Sequence, residues 1–66
     1  MKNNLKVQRA IKDITQSDLA TAIGVSRQTI NAMEKGKYIP STVLSLKISQ
    51  FFGKKLEEIF TLEETD

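Results

Sequence analysis

The chain has 66 residues, enough for one small domain. Such a domain buries roughly 60% of its unfolded surface and is marginal without a disulfide, a metal or a second subunit. It holds no cysteine and no histidine, which excludes disulfide staples, zinc-finger and thiolate metal sites, a Cys nucleophile and the commonest general acid and base. Charge is lopsided: residues 1–55 carry all ten Lys and Arg against three acids (Asp13, Asp18, Glu34), a balance of +7, and residues 56–66 carry five acids and no base. A polyanion-facing surface fits this division, and so does plain solvation of a small domain.

Helix punctuation runs through the chain. Leu5 to Lys12 is free of Gly and Pro and follows Asn3 and Asn4, which can cap a first helix. Thr15-Gln16-Ser17-Asp18 has the layout of a capping box, with Asp in the place of Glu or Gln. It opens a second helix, Gln16 to Ile23, that ends at Gly24. Ser26 caps a third, Arg27 to about Lys35, closed by Gly36. Pro40 and Ser41 precede a fourth, Thr42 to Phe52, closed by Gly53, and a last turn or two runs from Leu56 to Phe60. Leu19 and Ile23, Ile30 and Met33, and Leu44, Ile48 and Phe52 repeat at helical spacing and form the expected core. The expectation is an all-α domain of five helices, with a short strand at residues 60–63 paired with residues 2–4 as an addition.

Only Gly24-Val25-Ser26 joins the second and third helices, so they must cross steeply, as in a helix-turn-helix spanning residues 16–35 or so. Ala20 allows a close approach, and Val25 and Ile30 plug the angle. With Ile30, Met33 and Glu34 inward, the third helix displays Arg27, Gln28, Asn31 and Lys35, a donor-rich face with no acid. Arg suits the two acceptors of guanine, and Gln or Asn the acceptor–donor pair of adenine.

These stretches, with Met33-Glu34-Lys35-Gly36-Lys37, Pro40-Ser41, Leu44 and Leu56 to Phe60, resemble the Cro/CI-type helix-turn-helix regulators over nearly the whole chain. Among single-domain members the chain is similar to the cytolysin repressor type. The resemblance implies a compact lambda-repressor-like fold that binds double-stranded DNA. It implies that Gln16 donates to a phosphate and that Arg27, Gln28 and Asn31 face base edges, with Ala32 offering at most a methyl contact. Lys35, Lys37 and the Gly36–Tyr38 backbone would grip phosphates; the two lysines also suit a helix C-terminus, and the Tyr38 ring also suits packing. It pairs Arg9 with Glu34 in a structural ion pair joining the first helix to the third.

Leu56, Ile59, Phe60 and Leu62 stand among glutamates that phosphates would repel. They are expected to bury against a second subunit, making residues 56–66 a dimerisation segment, although Leu56 and Ile59 could equally close the chain's own core. Val7 and Ile11 could join that patch. A repressor acting as a homodimer is the leading expectation, and an antitoxin that binds a toxin and represses its own operon is the alternative. No enzyme, cofactor or metal is expected: no Gly-rich phosphate loop is present, and the volume is too small for a closed pocket. No apolar run approaches the roughly 18–20 residues of a membrane span, and no h-region of a secretory leader follows Lys2. The expectation is therefore a soluble protein of the cytoplasm with no membrane partner.

Overall fold

Three hydroxyl side chains start three of the helices in the computed structural model, which describes residues 1–66. Thr15 opens α2 (Gln16–Ile23), Ser26 opens α3 (Arg27–Glu34) and Ser41 opens α4 (Thr42–Phe52). Their oxygens accept from the backbone N–H of Asp18, Thr29 and Leu44 at 3.0, 3.1 and 3.2 Å. Each cap satisfies a donor that the first helical turn leaves without an internal partner. The Asp18 carboxylate returns the contact to the Thr15 N–H at 2.9 Å, completing the capping box.

The remaining elements are β1 (Lys2–Asn3), α1 (Leu5–Lys12), α5 (Leu56–Ile59) and β2 (Phe60–Thr61). The two strands pair antiparallel, Lys2 opposite Thr61 and Asn3 opposite Phe60. Five helices with one short terminal ribbon agree with the fold class expected from the sequence. The strand is shorter than residues 60–63, and α3 stops one residue before Lys35, which serves as its C-cap.

Of the two asparagines expected to cap α1, one does so. Asn4 occupies the N-cap position but makes no capping bond; its Nδ2 donates instead to the Glu58 carbonyl at 2.9 Å. Asn3 supplies the cap, its Oδ1 accepting from the Leu5 N–H at 3.1 Å. The long-range contact wins because it ties the start of α1 to the end of α5, a join strengthened by the Asn4 N–H donating to the Ile59 carbonyl at 3.0 Å.

That join decides where the C-terminal apolar residues go. Ile59 and Phe60 are drawn over the start of α1 and are only 1% and 7% exposed, inside a core with Leu5, Leu19, Ile30, Met33 and Ile48. Their burial contributes about 1.5–3 kcal/mol each to the chain's own stability. As two of the four residues expected at a subunit interface, Ile59 and Phe60 need correction: they close the core. Leu56 is half-buried against that core, and Leu62 is left outside at 77% exposure. Val7 and Ile11, on the outer side of α1, pack under nothing and stay exposed.

Candidate nucleic-acid interface

α2 and α3 make the most extensive helix–helix contact in the fold. Gly24 turns the chain between them with φ at +75°, a left-handed conformation that an L side chain rarely adopts. Nothing lies near enough to crowd a Cβ there, so the backbone angle alone favours glycine. The buried side of α3 is Ile30 and Met33, and Ala20 on α2 is buried beside them. Arg27 and Gln28 are consequently exposed on the opposite side of α3, with Asn31 and Ala32 half-exposed one turn later. The four expected base-contacting residues therefore share one outward surface.

Beyond α3 the backbone folds back on the helix. The Gly36 N–H donates to the Met33 carbonyl at 3.0 Å and the Lys37 N–H to the Ala32 carbonyl at 2.9 Å. Lys35, Gly36, Lys37 and Tyr38 are all exposed along this loop, and the Tyr38 ring stays largely on the surface. With Arg27, the two lysines give the surface three cations.

The one acid on α3 is withdrawn from it. Arg9 on α1 grips Glu34 with two hydrogen bonds, Nε to Oε2 at 2.6 Å and Nη2 to Oε1 at 3.0 Å. Its remaining nitrogen Nη1 donates to the Ile14 carbonyl at 3.1 Å. Both side chains are largely buried. Burial pushes the Glu34 carboxyl up, but hydrogen bonds from Arg9 and Gln16 outweigh it and hold the group below its ordinary value. The expected ion pair is present, and it leaves no free negative charge on the exposed side of α3.

Gln16 is where sequence reasoning fell short. At the first position of α2 it is half-buried, and its Nε2 turns inward to Glu34 Oε1 at 3.1 Å and Asn31 Oδ1 at 3.3 Å. Spacing along one helix carries no signal for this, because the partners lie 15 and 18 residues away on α3.

Residues 5–59 match the helix-turn-helix family, the full span from the start of α1 to the end of α5. The chain belongs to that family. It is 58% identical over 66 residues to an HTH-type transcriptional regulator of Methanocaldococcus jannaschii, with both chains covered completely. To the HTH-type transcriptional regulator YgzD of Bacillus subtilis it is 48% identical over 64 residues, with 97% of each chain covered. It is also 33% identical over 63 residues to the cryptic phage CTXphi transcriptional repressor RstR of Vibrio cholerae, covering 96% of this chain and 54% of that one. As a helix-turn-helix protein it is a transcriptional regulator with a DNA-binding domain, and the family is not enzymatic. No helix is long and apolar enough to cross a membrane, and no three His, Cys, Asp or Glu side chains gather as a metal site.

Proposed function

We propose that the protein is a sequence-specific repressor of the Cro/CI kind, acting in the cytoplasm as a homodimer on a two-fold operator. The observation that carries this reading is the outward surface of α3, where Arg27, Gln28, Asn31 and Ala32 stand together with no unpaired acid. Arg27, Gln28 and Asn31 reach base edges in the major groove; Lys35, Lys37 and the Gly36–Tyr38 backbone hold the phosphates beside it. Repression is supported by the phage repressor RstR among its relatives.

Two α3 helices reading adjacent turns of one DNA face must sit about 34–36 Å apart, each about 17 Å from the two-fold axis. A chain measuring 31 × 23 × 21 Å fits on either side of such an axis. The surface offered to the second copy is the outer side of α4. Val43 and Leu46 are exposed there on the side opposite Leu44, Ile48 and Phe52, and exposed Ile39 precedes them in the chain. These residues follow the Lys35–Tyr38 loop directly in the chain. The antitoxin alternative draws no support from the C-terminal segment, two of whose four apolar residues are inside the chain's own core.

The test is fluorescence anisotropy against the promoter DNA upstream of the protein's own gene and a scrambled duplex, at two salt concentrations. Binding that survives higher salt only on the promoter, and is lost in Arg27→Ala or Gln28→Ala, supports the reading. Equal affinities that fall together with salt reduce the interaction to phosphate attraction and refute autoregulation.

A further inference from the structure

The terminal ribbon stands against the loop that leaves α3. Asn3 in β1 turns its side chain in to the Met33 carbonyl, in the last turn of that helix, while its neighbour Lys2 is exposed. Between ribbon and loop lies an open recess of about 300 Å³, lined by Lys2, Lys35 and Gly36 together with Glu34 and Glu63.

The charges around this recess do not cancel. Glu34 is held by the Arg9 guanidinium. Glu63 and Asp66 are held by the Met1 ammonium at 3.0 and 2.9 Å. Lys2 and Lys35 belong to none of the three ion pairs of the structure. Four cations therefore stand against three acids, and the acids are the part that is tied down. What remains free is one ammonium on the ribbon and one on the loop, at the edge of a single opening. An ammonium is a compact, mobile point charge, well suited to a phosphate oxygen. Lys35 lies directly beyond α3, so the anion within reach of both lysines is the backbone of the duplex that α3 enters.

We propose that the ribbon is part of the DNA interface, with Lys2 binding a backbone phosphate beside the one held by Lys35. The contact then runs from α3 across the loop on to β1, and takes one phosphate more than the helix-turn-helix takes by itself. Phosphates carry no base information, so Lys2 adds affinity for every sequence and selectivity for none. The inference rests on the reading of α3 as the operator-contacting helix.

Lys2→Gln tests it, by anisotropy on the promoter duplex and the scrambled duplex across a salt series. Both affinities should fall by the same factor. One phosphate contact accounts for about 0.9 in the slope of log affinity against log salt. The advantage of the wild type over Lys2→Gln should therefore shrink about 3.5-fold between about 50 and 200 mM salt. Lys2→Arg should keep the wild-type slope. Thermal midpoints of both variants should match the wild type, since the side chain is exposed. Single uncharged methylphosphonate linkages, placed in turn along the promoter duplex, locate the contact. At one linkage in each half-site the wild type should lose affinity and Lys2→Gln should lose none, the coupling of two groups that touch.

A wild-type salt slope in Lys2→Gln would overturn the proposal, and so would losses equal to those of the wild type at every linkage. Either result leaves promoter recognition by the wild type standing. A wild type that binds neither duplex would refute the role of α3, and this inference with it.

Discussion

Asn3 and Met33, thirty residues apart, are joined by a hydrogen bond of 2.8 Å from the Asn3 side-chain Nδ2 to the Met33 carbonyl. The bond ties the terminal ribbon to the last turn of α3, next to the loop that carries Lys35 and Lys37. Met33 also accepts from the Gly36 N–H, so one carbonyl anchors both the loop and the ribbon. Asn3→Ala removes this tie and the Leu5 cap together. It is expected to destabilise the fold by about 1–2 kcal/mol. Urea unfolding measures that loss, and hydrogen exchange should show faster exchange at the Gly36 and Lys37 amides.

The Arg9–Glu34 pair makes a different kind of contribution. Arg9→Met leaves a largely buried carboxylate without its cation and is expected to cost about 3–5 kcal/mol in a denaturant melt. The double change Arg9→Met with Glu34→Leu removes the stranded charge and should recover most of that loss.

Stability should depend on pH through the same residues. Glu34 titrates below its ordinary 4.5 for the reasons given above, and Asp18 below its ordinary 3.8 through hydrogen bonds from the Thr15 backbone and hydroxyl. As pH falls, the unfolded chain takes up these protons first, so the contribution is whole above the ordinary values and is lost as pH drops through the lowered folded ones. At the other end, bonds to Asp66 and Glu63 raise the Met1 ammonium above its ordinary 8.0. Its contribution is present below pH 8.0 and disappears as pH rises through the folded value. Urea midpoints are expected to be flat between about pH 5 and pH 8 and to fall on the acid side. Glu34→Gln should take away much of the acid slope.

Leu46→Glu and Val43→Glu place a charge on the outer side of α4 without touching the core. Thermal stability should change by less than about 0.5 kcal/mol, as for other surface substitutions. Sedimentation equilibrium should show a monomer, and operator affinity should fall with it. Three apolar side chains per copy make an interface smaller than the standard one of about 800 Å² per partner. Association of the wild type in free solution is accordingly expected to be weak, with operator binding rising steeply with protein concentration. A wild-type monomer that binds its operator without such steepness would refute the α4 interface.

What was legible in the sequence was whatever is settled within four residues. Thr15, Ser26 and Ser41 cap their own helices, and Gly24 and Gly53 end theirs in the left-handed region, so α2 and α4 fall where the punctuation puts them. The exposed face of α3 was legible for the same reason, since Ile30 and Met33 fix which side turns inward. The contacts of the Asn4 and Gln16 amides were not legible because they cross the fold, to Glu58 on α5 and to Asn31 and Glu34 on α3. Ile59 and Phe60 show a second limit: a short apolar segment has the same pattern whether it closes its own core or meets a partner. Only the pairing of the two chain ends decides between them.

That pairing also bears on how the molecule assembles. The contacts between α2 and α3 join near neighbours along the chain, whereas Lys2 opposite Thr61 closes a loop of almost its whole length. Closing so long a loop has a large entropic cost, and such contacts form late. The helices can then be in place before Asn3 reaches Met33, and the loop that carries Lys35 and Lys37 acquires its final shape last. Fraying of either terminus would undo it in the reverse order, loosening that loop while the helical core still stands.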